Sequence, residues 1–139
     1  MPSLLSALFP PPPTFTDAQL PAQTGRVVLI TGAASGMGFE AATILYFAGA
    51  TVYIAARSQT RCDEAITKIK NSNRQGKETR SEKGELKSLV VDLADLRSVK
   101  GAAENFLGRE NRLDVLIHNA GVMQPPKGSK DALVSKEEH

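Results

Sequence analysis

Three glycines between an apolar run and a helical pattern are the residues best placed to do chemistry in this 139-residue chain. Gly32, Gly36 and Gly38 lie in the segment TGAASGMG, which follows VVLI and leads into a helix-forming stretch. A first glycine permits a tight turn, a second lets the backbone approach a ligand, and a third lets a helix pack closely on a strand. Free amides at the start of that helix, around Ser35 and Met37, would face phosphates. The segment therefore predicts a dinucleotide-binding loop, the alternative being a purely structural turn.

The elements that must position this loop alternate between strands and helices. Short apolar runs predict strands over residues 27–31, 51–56, 86–91 and 113–118. Helices are predicted over residues 38–48, from a cap at Ser58 to about residue 71, and from a cap at Asp95 to about residue 109. The third helix is expected to bury one stripe, formed by Leu96, Val99, Ala103, Phe106 and Leu107. This alternation predicts right-handed crossovers and an α/β fold with a doubly wound parallel sheet.

Composition divides the chain into an arm, one domain and a tail. Residues 1–25 hold six of the eight prolines, and the run over residues 10–13 is expected to be extended polyproline. The arm is expected to pack along the domain edge, the alternative being a ligand for a proline-binding module. Residues 26–129 are predicted to form a dinucleotide-binding domain with a polar surface connection over residues 71–85, and residues 130–139 a tail.

Charge, cysteine content and hydropathy exclude several functions. The net charge of +2 is too small to imply nucleic acid as the main partner, and the basic excess over residues 61–87 is interpreted as a solvated surface. Cys62 is the only cysteine, which excludes an intramolecular disulfide and fits a reducing compartment. With only His118 and His139 in addition, no metal site is expected. The sequence has no membrane-spanning apolar run and a poor signal peptide, so a cytoplasmic location is expected.

Three motifs in order resemble those of the short-chain dehydrogenase/reductase family. Residues 31–38 match its TGxxxGxG signature, Asp92-Leu93 follows the third predicted strand, and Asn119-Ala120-Gly121 follows the fourth. The segments PPPPTFT, IAAR, VVDLADL and NAGVM-x-PPKGS are most similar to fungal, retinol-dehydrogenase-like members. The resemblance covers roughly residues 9–130, the N-terminal half of such a protein. It implies a Rossmann-like sheet in the order 3-2-1-4, truncated after its fourth strand.

The resemblance also implies a role for each matched position beyond the glycine loop. Asp92 would accept a hydrogen bond from the adenine amine, and the Leu93 amide would border the same ring. The alternative for Asp92 is a carboxylate that caps a turn. Asn119, Ala120 and Gly121 would pass beneath the adenine ribose, the alternative for Asn119 being support of the fourth strand.

An arginine at the end of the second predicted strand bears on the choice of cofactor. A site that prefers NAD places an acidic residue about 20 residues beyond the glycines. This chain instead has Ala55-Ala56-Arg57, with no acidic residue until Asp63. A guanidinium suits a 2′-phosphate and gains nothing comparable from a pair of hydroxyls. Arg57 therefore predicts that NADP(H) is preferred over NAD(H), the alternative being an exposed arginine at a strand end.

The catalytic residues of the family have no match in this sequence. The resemblance implies a YxxxK pair, an upstream Ser and an Asn, with the lysine lowering the pKa of a tyrosine that acts as general acid and base. Tyr46 and Tyr53 are the only tyrosines, neither begins YxxxK, and no asparagine follows Asn119. His118 stands where the family commonly has asparagine, and it is interpreted as a tolerated variant rather than a catalytic base. The sequence thus predicts an NADP(H)-binding half of an oxidoreductase acting on alcohol or carbonyl groups, catalytically incomplete as given.

The tail and the predicted sheet edge support an alternative function. Residues 130–139, KDALVSKEEH, do not resemble the helix expected next, which indicates an altered reading frame, a retained intron or an appended sequence. The predicted strand order leaves the fourth strand as an unpaired edge, and such an edge invites association. The alternative is a non-catalytic nucleotide-binding or interaction module that self-associates or pairs with a full-length relative through this edge.

Overall fold

Four strands and three helices make up the fold in a computed structural model that describes residues 12–72 and 82–121. The strands are β1 (Val27–Thr31), β2 (Thr51–Ala56), β3 (Glu85–Val90) and β4 (Val115–Ile117). The helices are α1 (Gly36–Phe47), α2 (Gln59–Asn71) and α3 (Leu96–Leu107), and a 3₁₀ turn, Asp17–Gln19, precedes β1. Four predicted features lie wholly or partly outside the described residues: the start of the proline run, the middle of the connection over residues 71–85, the PPKGS segment and the tail.

The sheet has the predicted α/β topology. Its strands are parallel and lie in the order β3-β2-β1-β4. The chain moves outward from β1 to β3 and then crosses back to the other side of β1, so the order reverses between β1 and β4. At such a reversal the connections leave the strands in opposite directions and open a crevice beyond the carboxyl ends of the strands. The topology alone therefore directs attention to the ends of β1 and β4.

Two apolar layers hold the sheet in place, one on each face. Successive strand side chains point to opposite faces, so Val28 and Ile30 pack in the layer that contains α1 and α2, whereas Leu29 packs in the layer of α3. Both faces of a parallel sheet carry helices, which is why β1 and β2 are continuous apolar runs rather than alternating ones. Helix α2 buries one face against the sheet, with Ala65 and Ile69 almost fully enclosed. These layers fix where the carboxyl ends of β1 and β2 lie.

The predicted stripe of α3 is partly wrong. Val99 and Phe106 pack toward the sheet as predicted, and Ala102 is buried beside them. The other predicted members are exposed: Leu96, Ala103 and Leu107. Their exposure follows from the position of the helix, which contacts β3 and leaves the β1 and β4 side of this face open. The stripe predicted from helical spacing is wider than the surface that α3 covers.

Several element boundaries differ from those predicted: β3 lies one residue earlier than predicted and α3 ends at Leu107 rather than about residue 109, but the largest differences are in α1 and β4. Helix α1 begins two residues early, at Gly36, because the Phe39 amide donates to the Ser35 carbonyl at 3.3 Å and closes the first turn. Strand β4 has three residues instead of the predicted 113–118. Before it, the Asp114 side chain accepts a hydrogen bond from the Val27 amide at 2.8 Å, and after it the Asn119 amide turns back to the Ile117 carbonyl at 3.1 Å. The Asp114 amide also donates to the Val27 carbonyl at 2.9 Å, so backbone pairing with β1 extends one residue before β4, whereas a turn at Asn119 ends it.

The buried Tyr53 side chain connects the sheet to the segment that follows α3. The Tyr53 hydroxyl donates to Glu110 Oε1 at 2.8 Å, and Lys87 Nζ donates to the same oxygen at 2.7 Å. The Tyr53 ring packs edge-to-face on Phe106 with the ring centroids 4.9 Å apart. The hydrogen bond from Lys87 holds the pKa of the Glu110 carboxyl below its ordinary value. This anchor keeps α3, and the chain that leads into β4, against the sheet.

Replacing Glu110 with glutamine is expected to weaken this anchor. Glu110→Gln should lower the free energy of unfolding by about 1–2 kcal/mol, because Lys87 loses its charged acceptor. Since folding depresses the pKa of Glu110, its stabilisation is present above the ordinary value of 4.5 and is lost as the pH falls through the lower folded value. Urea unfolding followed from about pH 3 to pH 7 measures both effects. The control is Glu104→Gln, an exposed carboxylate 4.0 Å from Lys100, and an equal loss in both variants would argue against the anchor.

None of the helices within residues 12–72 and 82–121 is long and apolar enough to cross a lipid bilayer.

Candidate cofactor site

A cleft of about 480 Å³ lies beyond the carboxyl ends of the strands, where the sheet order reverses. Its walls are the loop after β1, the end of β2, the turn after β3 and the segment after β4. Ten of the predicted site residues line it: Gly32, Ser35, Gly36, Met37, Arg57, Asp92, Leu93, Asn119, Ala120 and Gly121. Gly38, the eleventh, is buried behind the loop rather than in the lining. Residues from four separate segments therefore meet in one cleft.

Gly32 and Gly36 allow the loop after β1 to turn away from the sheet. Both adopt a left-handed backbone, with φ of 66° at Gly32 and 59° at Gly36, which side chains rarely tolerate. A Cβ on Gly32 would also lie 2.9 Å from the Cα of Ala120, so this position is closed for a second reason. A Cβ on Gly36 would meet no atom within 4 Å. The missing side chain of Gly36 therefore leaves open space in the wall of the cleft.

Gly38 brings α1 close to the segment after β4. A Cβ at this position would lie 2.5 Å from Asn119 Nδ2 and 2.7 Å from the Gly32 carbonyl oxygen. The third glycine is therefore required for close packing, as predicted, although it packs against the loop and Asn119 rather than against strand side chains. Any larger residue would push α1 away from the cleft.

The first turn of α1 lacks the side-chain cap that the other two helices have. Ser58 caps α2 by accepting a hydrogen bond from the Arg61 amide, and Asp95 caps α3 in the same way. Ser35 occupies the corresponding position of α1, but its side chain makes no cap hydrogen bond. The first amides of a helix have no acceptor within the helix itself, and they carry the positive end of its dipole. Donors beside Ser35 and Gly36 are therefore left at the wall of the cleft, which suits an anion.

Thr31 joins the glycine loop to the segment after β4. Its hydroxyl accepts hydrogen bonds from the backbone amides of Asn119 and Ala120, both at 3.1 Å. The Asn119 side-chain amide donates back to the carbonyls of Thr31 and Gly32, at 3.2 Å and 3.3 Å. The alternative predicted for Asn119 is support of the fourth strand, and its side-chain amide here ties the segment after that strand to the end of β1 and the glycine loop. Thr31 is not among the predicted site residues. It is the last residue of β1, the strand that pairs with both β2 and β4, and it directly precedes the glycine loop.

Asp92 also makes the turn contact named as its alternative role. Its Oδ1 accepts a hydrogen bond from the Ala94 amide at 3.0 Å, and its own amide donates to Ser98 Oγ at 2.8 Å. These contacts fix the turn after β3 so that Asp92 and the half-exposed Leu93 form one wall of the cleft. The carboxylate is thus held in place by its own turn while it remains part of the lining.

Two guanidinium groups also line the cleft. Arg57 directly follows β2, and Arg61 lies in the first turn of α2. Both side chains are exposed, and within the described part of the chain neither makes an ion pair or a side-chain hydrogen bond. Sequence reasoning missed Arg61. The signal that could have found it is its place in the first turn of the helix predicted to begin after Ser58, four residues beyond Arg57.

The residues considered for catalysis lie away from the cleft. Tyr46 and Tyr53 are buried in the two apolar layers, with 8% and 0% exposure, and neither lines the cleft. Burial and the hydrogen bond to Glu110 raise the pKa of Tyr53, which is opposite to what a general base near neutral pH requires. His118 is exposed and borders a different groove, beside α3. No cluster of potential metal ligands occurs among residues 12–72 and 82–121.

Comparison of the sequence with models of known protein families agrees with the fold and with the glycine loop after β1. A family model described as short chain dehydrogenase matches residues 26–138. This chain therefore belongs to the short-chain dehydrogenase family, as its motifs predict. A short-chain dehydrogenase/reductase of Phomopsis amygdali is 43% identical over 125 residues, which are 90% of this chain and 36% of that protein. One from Armillaria gallica is 45% identical over 89% of this chain and 37% of its own length. The predicted similarity to fungal members is confirmed, and the chain spans about a third of the length of these relatives.

Solved structures show the same fold with NADP in place. The Pseudomonas aeruginosa RhlG/NADP active-site complex aligns with a TM-score of 0.61 and 29% identity over 73% of this chain and 36% of its own. A metagenomic short-chain oxidoreductase in complex with NADP aligns with a TM-score of 0.60 and 30% identity, again over 73% of this chain, and over 41% of its own. The Rossmann-like fold of this chain is thus shared with members of the family that bind a dinucleotide.

Proposed function

We propose that this chain binds NADP(H) as the cofactor-binding part of a short-chain oxidoreductase that acts on alcohol or carbonyl groups. The observation that carries this proposal is the cleft at the reversal of the sheet order, which combines an open glycine loop with Arg57, a guanidinium that has no ion-pair partner among the residues that the structure describes. The two solved relatives that hold NADP support the choice of cofactor.

The residues of the cleft fit the parts of a phosphorylated dinucleotide. The open space at Gly36 and the uncapped amides of α1 suit a pyrophosphate, because a helix N-terminus offers both donors and a favourable dipole. Arg57 suits the 2′-phosphate. Asp92 and Leu93 suit the adenine, and the segment after β4, Asn119, Ala120 and Gly121, suits the adenine ribose. When bound, NADP(H) supplies the hydride chemistry of the family.

The residues that line the cleft can bind and orient the cofactor, but proton transfer to or from the substrate also requires a general acid or base. A general acid or base must lie within hydrogen-bond reach of the reacting group. The chain's tyrosines are enclosed in the apolar layers, and His118 borders the groove beside α3 rather than the cleft. We therefore expect the 139-residue chain to bind the cofactor without turnover.

Cofactor binding and turnover are tested on the same preparation. A ligand that binds only the folded chain stabilises it in proportion to RT ln(1 + [L]/Kd), so NADPH should raise the thermal midpoint more than NADH at equal concentration. The same preparation, given NADPH and a panel of hydrophobic aldehydes and ketones, should oxidise no more NADPH than a heat-inactivated control. Turnover above that control would overturn the expectation that the chain binds the cofactor without turnover. Equal stabilisation by both cofactors would overturn the expected preference for NADPH.

A second candidate function rests on the exposed edge of the sheet. Strand β4 pairs with β1 alone in the described structure, and Val115 and Leu116 are 37% and 45% exposed. A mostly apolar groove of about 460 Å³ adjoins this edge, with Leu29, Phe106 and Leu116 in its lining. An unpaired edge beside an apolar surface favours association. This surface suits a non-catalytic module that pairs with a second copy or with a longer relative.

If the edge mediates association, a charge placed there should abolish it. Leu116→Lys is expected to convert a concentration-dependent dimer into a monomer, because association would desolvate the ammonium and the one carboxylate among the lining residues that the structure describes, Glu110, already accepts from Lys87 and Tyr53. Sedimentation velocity over a range of concentrations measures the change. Leu96→Lys serves as the control, since Leu96 is 63% exposed and lies outside the groove lining. An unaltered chain that stays monomeric at all concentrations, alone and mixed with a full-length relative, would exclude this candidate.

A further inference from the structure

The arm before β1 carries a run of prolines that the cofactor cleft does not use. Residues 9–15 read FPPPPTF, and Pro12 and Pro13, the last two prolines of the run, are exposed. Phe15 is 62% exposed, lies in neither apolar layer, and makes no ring contact among the residues that the structure describes. This exposure favours a role as the ligand of a proline-binding module over packing along the domain edge.

The attachment of the arm to the domain lies further along the chain, at Gln23. This side chain is buried, its amide donates to the Pro21 carbonyl at 2.9 Å, and the Gln23 backbone amide donates to the Ala48 carbonyl at 2.7 Å. Ala48 directly follows α1, whose first turn borders the cleft, so the arm joins the other end of a helix about 18 Å long. None of residues 12–25 lines the cleft or the groove beside α3. A partner bound to the arm therefore leaves the cofactor cleft open.

A short turn separates this attachment from the exposed prolines. The 3₁₀ turn Asp17–Gln19 is closed by the Gln19 amide, which donates to the Thr16 carbonyl at 3.0 Å. The Thr16 amide donates in return to Gln19 Oε1 at 2.8 Å. These hydrogen bonds are local to the arm, so the turn gives the exposed segment a defined start without using the surface of the domain.

We propose that the FPPPPTF segment, of which the structure describes residues 12–15, binds a protein module whose groove is lined by aromatic side chains. The run over residues 10–13 is expected to be a polyproline helix, which has three residues per turn and no internal hydrogen bonds. Its proline rings and its carbonyls are thus both available to a partner, and little conformational freedom is lost on binding. Phe15 adds an aromatic ring whose apolar surface such a groove would remove from water.

The charge of the arm narrows the kind of groove. Asp17 is the only charged side chain in residues 1–25, and the first basic residue is Arg26. A groove with an acidic rim, which selects a lysine or arginine beside the prolines, therefore has no counterpart in this segment. An aromatic groove that accepts apolar flanking residues fits the segment instead. A module of the EVH1 class, whose aromatic-lined groove binds proline-rich segments, is the partner that this chemistry favours.

The experiment measures binding of a purified EVH1-class module to the whole 139-residue chain by calorimetry. We expect one module to bind per chain. Pro12→Ala combined with Pro13→Ala should weaken the complex at least about 10-fold, because two ring contacts and the preformed conformation are lost. Phe15→Ala should weaken it about 5- to 10-fold through lost apolar contact. Pro21→Ala changes an exposed proline outside the run and, as the matched control, should alter the affinity by less than about 2-fold.

Stability and cofactor binding distinguish a docking segment from a structural one. Pro12, Pro13 and Phe15 lie outside both apolar layers and the cleft lining, so their alanine variants should keep the thermal midpoint and the NADPH affinity of the unaltered chain. A lower midpoint in Phe15→Ala would show that the ring packs on the domain, and it would overturn the proposal.

The binding data can overturn the proposal independently of the cofactor site. Absence of binding to the unaltered chain, binding that survives the paired proline change, or an equal loss in Pro21→Ala would each contradict recognition of this segment. Because the arm lies outside the cleft, a chain that binds the module but not NADPH would contradict only the NADP(H) site. A chain that binds NADPH but not the module would contradict only the docking segment.

Discussion

Replacing Gly36 with alanine is expected to weaken NADPH binding by about 100-fold while the chain remains folded. The added Cβ meets no protein atom within 4 Å, so it points into the space that the proposed pyrophosphate needs. Displacing the phosphates from the uncapped amides of α1 removes about two hydrogen bonds to a charged acceptor, which accounts for a loss of this size. The left-handed φ of 59° adds a folding cost of about 1 kcal/mol, which most domains tolerate. Calorimetric titration with NADPH and urea unfolding measure the two effects.

Gly101→Ala is the matched control for this substitution. Gly101 lies within α3, outside the cleft lining, and a Cβ there also meets nothing within 4 Å. Alanine in a helix interior should raise the free energy of unfolding by about 0.5–1 kcal/mol and leave NADPH affinity unchanged. If Gly36→Ala binds NADPH as the unaltered chain does, the glycine loop does not hold the phosphates.

Replacing Arg57 with glutamine is expected to remove most of the preference for NADPH. A hydrogen bond to a charged group contributes about 1.5–3 kcal/mol, so the dissociation constant of NADPH should rise about 10- to 100-fold. The dissociation constant of NADH should change by less than about 2-fold, because a hydroxyl offers the guanidinium no charge to neutralise. Arg57 is exposed and has no side-chain partner among the residues that the structure describes, so the substitution should not lower stability.

Two comparisons complete the test of Arg57. Arg57→Lys keeps the charge and loses the planar fork, so it should retain part of the NADPH preference. Arg97→Gln removes an exposed arginine from the first turn of α3, outside the cleft lining, and should leave both cofactors unaffected. Equal weakening of NADPH and NADH by Arg57→Gln would mean that Arg57 does not select the cofactor.

The sequence predicted the fold and most of the cleft because their signals are local. The apolar runs of β1 and β2 have the lengths of buried strands, and their bounds agree with the structure. The glycines of the loop adopt the backbone or make the close approach that only glycine permits. Local pattern and fold agree here, so the carboxyl ends of the strands, and the motifs after them, fall together.

The features that the sequence missed depend on which surfaces meet. Helical spacing places Leu96 and Leu107 on the apolar face of α3, but the helix covers too little of the sheet to bury them. Thr31 joins the site only through hydrogen bonds to a segment 88 residues away. Arg61 is one arginine in a charged stretch until the cleft places it beside Arg57. The contacts of Leu96, Leu107 and Thr31 leave no periodic or compositional signal in the sequence, whereas the place of Arg61 four residues after Arg57 does.

The central claim is that the chain binds NADP(H) in preference to NAD(H). Calorimetric titration of the unaltered chain with NADPH, and separately with NADH at the same salt concentration, tests this claim most directly. We predict saturable binding of one NADPH per chain, with NADH bound at least about 10-fold more weakly, as loss of a charge-assisted contact requires. Absence of saturable NADPH binding, or NADH binding of equal strength, would contradict the proposed NADP(H) site.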